Sequence, residues 1–147
     1  MNKIVIISAL AVAIFTFNTS AQGPGGPPPG HGGPRQQASS FPEVTIDQVK
    51  AAIAAKNITL LDANGTESWK EGHIPGAIDF AANKAKLASV LPADKKALIV
   101  AYCGGPRCHA YAAAAQAAKA LGYTNVKHLT AGIHGWMDAD EPTQKGS

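Results

Sequence analysis

Cys103 ends an apolar run, Gly104, Gly105 and Pro106 follow it, and Arg107, Cys108 and His109 lead into an alanine-rich segment. Strand, tight loop and helix in that order form an anion-binding geometry, because a helix start presents free N–H groups and the positive end of its dipole. A cysteine there is suited to nucleophilic work, since a thiol with pKa about 8.5 needs positive surroundings to ionise at neutral pH. Gly104 and Gly105 can take φ values closed to other residues, which would let the loop curl and aim N–H groups at the sulfur. Arg107 would add a cation at the mouth of the loop or stand solvated as a bystander. Cys108 is either a second thiol able to bridge to Cys103 or a small loop-closing residue. His109, on the expected first helical turn, would face solvent or cap its neighbours. The competing reading of Cys103 is a buried, inert thiol; a strand end followed by Gly-Gly-Pro argues against it.

The two cysteines of the chain both lie in this loop. They are too few for a disulfide scaffold and point to local chemistry. A metal site made from Cys103, Cys108 and His109 would lack a fourth ligand at recognisable spacing, so neither a metal nor a cofactor is expected. The formal charge is +3, and no run of Lys or Arg forms a stripe that could track phosphates, which makes nucleic acid a poor partner.

The loop needs elements to hold it. Thr45 to Gln48 fits a capping box opening a short amphipathic helix to about Ala55. Ile58 to Leu61 reads as a buried strand ending at Asp62. A helical turn around Ser68–Lys70 closes at Gly72, Ala77 to Phe80 reads as a strand, and Lys84 to Val90 as a weak helix stopped before Pro92. Ala97 to Tyr102 is continuously apolar, as a strand covered on both faces would be. Cys108 to Leu121 reads as a helix ended by Gly122, Val126 to Leu129 as a last strand, and Gly135 to Ala139 as a final helical turn. This alternation predicts an α/β fold with a central parallel sheet flanked by helices on both faces. Ligands bind such sheets at the carboxyl ends of strands, where Cys103 lies.

With that order established, three stretches resemble the rhodanese-like domain family. LLDANGTESWKEGHIPGA, residues 60–77, is similar to its strand–turn signature; YCGGPRCHA, residues 102–110, to its active loop in a Cys-x-Gly-Pro-x-Cys form; and LTAGIHGWMDADEPT, residues 129–143, to its closing motif. The sequence departs from the family pattern at Asn64 and Ser68, where charged residues are common, and at Cys108, where an arginine often ends the loop. The resemblance implies a single-domain sulfurtransferase in which Cys103 carries sulfane sulfur as a persulfide. The donor would be thiosulfate or a persulfide and the acceptor a thiol or cyanide. Asp62, His73 and His109 would support the loop, and a monomer is expected. Two alternatives stay open: a thiol–disulfide redox module using Cys103 and Cys108, and a non-catalytic binding module of the same fold. Phosphatase chemistry is disfavoured because the sixth residue after Cys103 is His109 rather than an arginine.

Ahead of this domain, expected over residues 41–147, lie two segments of other character. Residues 1–21 read as a secretory signal peptide: Lys3, an uncharged run from Ile4 to Phe17, and a small-residue site at Thr19-Ser20-Ala21. The run is short for a membrane span, which takes roughly 20 apolar residues, so no stable insertion is expected after cleavage. Residues 22–40 hold 11 Gly or Pro among 19 positions and read as a disordered linker. A periplasmic or secreted location follows from this reading. Sequencing the protein from its native cell should find Gln22 as the first residue; an intact Met1 on a cytosolic protein would rule the signal out.

Overall fold

The computed structural model describes residues 41–147; the signal-peptide and linker expectations lie outside the described residues. Five parallel strands form one sheet in the order β1-β5-β4-β2-β3. They are β1 (Glu43–Val44), β2 (Ile58–Asp62), β3 (Ile78–Asp79), β4 (Leu98–Tyr102) and β5 (Val126–Leu129). The helices are α1 (Ile46–Ala54), α2 (Thr66–Glu71), α3 (Phe80–Asn83), α4 (Leu87–Val90), α5 (Tyr111–Ala120) and α6 (Gly132–Asp138), with a 3-10 turn at Lys84–Lys86. Among the described residues no helix is long and apolar enough to cross a membrane.

Strand β4 occupies the middle of the sheet and divides the core by alternation. Ile99, Ala101 and Cys103 pack on one side with Leu61, Phe80, Leu87 and the buried face of α5. Val100 and Tyr102 pack on the other with Val49 of α1 and Ile133 and Trp136 of α6. Every residue from Ile99 to Cys103 is fully buried, which is why the run carries no polar side chain except the Tyr102 hydroxyl. Residues Tyr111, Ala114, Ala115 and Ala118 form the buried stripe of α5, spaced as one helical face. The small size of the three alanines brings the helix close to the sheet. Gly122 ends it in the left-handed region at φ +92°. Its N–H donates to Lys119 O and that of Tyr123 to Ala118 O, a Schellman closure.

Several local expectations match in detail. Thr45 Oγ1 accepts from the Gln48 N–H at 3.2 Å, and Gln48 Oε1 accepts from the Thr45 N–H at 3.0 Å. Others move. Strand β3 stops at Asp79, because its carboxylate accepts from the Ala82 N–H at 3.1 Å and starts α3 at Phe80. Strand β1 is too short to carry a periodic signal; it exists by pairing with β5. Helix α5 begins at Tyr111 rather than Cys108, and α6 begins at Gly132 rather than Gly135.

The start of α6 holds the cysteine loop. The Ile133 N–H donates to Cys103 O at 2.9 Å and the His134 N–H to Gly104 O at 3.0 Å. Gly132 makes this contact sterically feasible: at φ +61°, a β-carbon on it would stand 2.4 Å from Cys103 O and 2.6 Å from Gly104 C and Gly105 N. Backbone therefore lies directly on backbone.

A second feature of this region is His128, buried at 5% exposure and stacked on Tyr111 with ring centroids 3.3 Å apart. Burial holds its pKa below the usual 6.5; His109 pushes the same way and Glu43 opposes. As pH falls through 6.5, the unfolded chain gains a proton that the folded chain resists, so stability present at neutral pH declines, by at most about 1.4 kcal/mol per pH unit. Asp62 has the opposite sign: burial raises its pKa from 3.8, so its contribution favours folding below 3.8 and is lost as pH rises through its folded value.

Two predictions follow from these contacts. Gly132→Ala should cost about 2–4 kcal/mol in urea unfolding, combining backbone strain with overlap. Gly122→Ala, equally left-handed but with nothing within 4 Å of its added carbon, should cost only about 1–2 kcal/mol; equal costs would refute the close-approach argument. For His128, the stability difference between His128→Phe and wild type should shift in favour of the variant between pH 7.5 and 5.5, and a pH-independent difference would show that the buried ring does not titrate as argued.

Candidate active site

Three connections meet at the carboxyl end of the sheet: the one after β4 carrying Cys103 to His109, the one after β2 carrying Asn64, and the start of α6 carrying His134. A β-carbon placed on Gly104 would lie 3.4 Å from His134 Cε1 and 3.8 Å from Asn64 Oδ1, and one on Gly105 3.6 Å from Ala131 O. A β-carbon at either position would therefore make only ordinary van der Waals contacts. Neither lies in the left-handed region, so the expected gain from unusual φ values is not what this loop uses.

Cys103 and Cys108 are joined by a disulfide, with Cα atoms 6.2 Å apart. Two loop positions offer no N–H group to the sulfur in this closed form. Pro106 has no N–H, and the Cys108 N–H is spent on Gly105 O at 2.9 Å. The start of α5, with Ala110 as its N-cap, lies beyond the loop, so its dipole acts from farther off than expected. The first amides of α6 grip loop carbonyls instead.

Pro106, Arg107 and Cys108, with Gly104, Gly105 and His134, line a cleft of about 350 Å³. Arg107 is exposed and sits on its wall, while Cys103 is sealed beneath at 0% exposure. Beside it, a second cleft of about 270 Å³ is lined by Asn64, Ser68, Glu71, Met137 and Thr143 and shares His134. Of two departures from the family pattern, Asn64 therefore borders the loop, and Ser68 lines the neighbouring cleft.

The supporting residues separate into different places. Asp62, 1% exposed, accepts from the Asn64 N–H at 2.7 Å and Asn64 Nδ2 at 2.9 Å through Oδ1, so it shapes the turn that brings Asn64 to Gly104. Its other oxygen is buried without a hydrogen bond of ordinary geometry. The Tyr102 side chain is its polar neighbour: burial raises the Tyr102 pKa and the Asp62 carboxylate raises it further. That hydroxyl also accepts from the Ile74 N–H at 3.1 Å. His73 is a scaffold residue away from the loop. Its ring stacks on Trp69 with centroids 4.0 Å apart, Nδ1 lies 2.7 Å from Trp69 O, and its backbone pairs with Gln144. His109 is exposed on the turn before α5. Trp136 is core, its Nε1–H donating to Pro142 O at 2.8 Å.

His134 is the site residue that sequence reasoning missed. Within Gly-Ile-His-Gly-Trp its spacing marks only a helical turn, and nothing local says that this turn leans on a loop after another strand. Among the described residues, no group of three or more His, Cys, Asp or Glu is assembled to hold a metal ion.

Comparison with known proteins agrees with this architecture. The model of the rhodanese-like domain matches residues 45–139. A solved structure of a protein from Bacillus halodurans has a TM-score of 0.58 and 30% identity, covering 71% of this chain and 77% of that one. The human single-domain sulfurtransferase has a TM-score of 0.52 at 23% identity, covering 66% of this chain and 96% of its own; at that identity the likeness concerns the fold. An HTH-type transcriptional regulator of Mycobacterium tuberculosis is 36% identical over 94 residues, 63% of this chain. The match spans only 40% of the regulator's length. With a family model covering most of the sheet and the cysteine loop at the end of the central strand, the chain belongs to the rhodanese-like domain family.

Proposed function

We propose that the domain is a sulfurtransferase that carries sulfane sulfur on Cys103. The observation that supports this most is the position of Cys103, at the carboxyl end of the central strand β4 and under a glycine loop, in a chain of the rhodanese-like family.

The chemistry begins from the reduced loop. The Cys103 thiolate attacks the outer sulfur of thiosulfate; a new S–S bond forms, the S–S bond of thiosulfate breaks, and sulfite leaves with its electron pair. An acceptor thiolate or cyanide then attacks the outer sulfur of the persulfide, and Cys103 departs as the thiolate. This is covalent catalysis in two half-reactions, with ping-pong kinetics as its signature. Arg107 on the cleft wall offers a permanent cation to an anionic donor. His134 offers a ring nitrogen close to Gly104, on the path between the two clefts.

The bridged loop favours a second reading, a thiol–disulfide redox module. The two are compatible in one chain. Cys108 can attack the inner sulfur of a Cys103 persulfide, forming the disulfide and expelling the outer sulfur as hydrosulfide. An exported setting, expected from residues 1–21, would favour the closed form.

Intact mass after reduction and thiosulfate treatment tests the primary reading. Wild type should gain one sulfur atom, the Cys103→Ser protein none, and a Cys108→Ala protein should hold the added sulfur longer than wild type. Full uptake by Cys103→Ser would sink the assignment, while an unchanged persulfide lifetime in Cys108→Ala would remove Cys108 from the chemistry.

A further inference from the structure

The two cysteines of the loop disulfide differ in exposure, although Cys108 packs against the edge of the cluster that holds Cys103. Cys103 presents no surface to solvent and belongs to the apolar cluster that contains Leu61, Ala101 and Tyr111. Cys108 is only partly buried and forms part of the wall of the cleft that Arg107 and His134 also line. Disulfide exchange requires a thiolate to reach one particular sulfur, and access decides which.

We propose that Cys108 is the sulfur at which a dithiol reductant attacks and Cys103 the sulfur released, so that a dithiol arms the domain for sulfur loading. The arming role rests on the sulfur-transfer reading above; the point of attack rests on burial alone. A thiolate of the reductant enters the cleft and forms a bond to Cys108 Sγ. The Cys103–Cys108 bond breaks, and its electron pair leaves on Cys103 Sγ as a thiolate. The second thiolate of the reductant then attacks the reductant's own sulfur in the mixed disulfide, closing its ring and releasing Cys108 as a thiolate. Two electrons pass to the protein, the dithiol becomes a disulfide, and its two protons are available to the two protein thiolates.

The charge of the cleft suits this order. The attacking species is an anion, and Arg107 is a cation at every accessible pH. The sulfur set free is also the one that the proposed transfer chemistry needs as a thiolate. Closed, the loop offers thiosulfate neither a free thiolate nor an exposed Cys103.

The test uses the full-length protein oxidised with diamide. A brief exposure to excess 2-mercaptoethanol, a monothiol that cannot complete the second step by ring closure, is stopped with N-ethylmaleimide in acid. Trypsin cuts after Arg107 and places the two cysteines on separate peptides. The mercaptoethanol adduct should lie on the Cys108 peptide and the maleimide on the Cys103 peptide, by at least tenfold over the reverse. An adduct mainly on Cys103, an even split, or no adduct on either overturns the proposal. In parallel, oxidised and dithiothreitol-reduced samples are treated with thiosulfate and weighed intact. Uptake of sulfur by the reduced sample alone supports arming, and equal uptake by both overturns it. The two readings fail separately. A Cys108 adduct with no sulfur uptake by reduced protein supports the point of attack and rejects sulfur transfer. A Cys103 adduct with normal uptake rejects the point of attack and leaves sulfur transfer standing.

Discussion

Gly132 lies with its backbone against the backbone of Cys103, Gly104 and Gly105, and the next two amides of α6 donate to the carbonyls of Cys103 and Gly104. The geometry of the site depends on this contact. A strand end is ordinarily the least constrained part of a sheet, because its last carbonyls have no partner on the loop side. Here the first turn of a helix from another crossover supplies those partners. Both ends benefit: the loop carbonyls are satisfied, and so are two of the N–H groups that a helix start leaves free. Any side chain at position 132 would separate the two surfaces.

The consequence for the chemistry is a division of roles among three loops. The β4 loop brings the sulfurs, the β2 turn brings Asn64, and α6 brings His134 to the same few ångströms. Asp62 is tied to Asn64 by two hydrogen bonds and lies beside Tyr102, linking the β2 turn to the strand that bears the cysteine. Burying this carboxyl disfavours its charged form, as its raised pKa shows. Its Oδ1 is spent on holding Asn64, which fixes the shape of the turn. Arg107 is exposed at the rim, Pro106 has no N–H to offer, and the Cys108 N–H is spent within the loop.

Strand β4 also explains why Cys103 can be so well sealed. Alternation along Leu98–Tyr102 continues into the loop, so Cys103 falls on the same side as Ile99 and Ala101, under the alanine face of α5. The small side chains of Ala114 and Ala115 let the helix approach until no solvent reaches the sulfur. Bonding to Cys108 takes place at the edge of this packed layer, which is where the asymmetry between the two sulfurs arises.

Much of the fold was legible because its signals are local. The capping box at Thr45, the apolar run of β4, the alanine stripe of α5 and its stop at Gly122 each act within one segment, and the strand–helix alternation implied the parallel sheet. The candidate loop was legible for the same reason, since Cys-Gly-Gly-Pro at a strand end is a local pattern. What sequence reasoning misplaced depended on partners far along the chain. Strand β1 exists because β5 pairs with it, and α5 starts at Tyr111 because the bridged loop and its Gly105–Cys108 turn use the residues before it. The glycine under the tightest constraint is Gly132, not Gly104 or Gly105, because the tight approach is between two crossovers. His134 entered the site by the same route. Residue types and spacing determined that a cysteine loop would end a buried strand; only the packing of α6 against that loop decided what surrounds it, because contacts between crossovers leave no periodic trace in either segment.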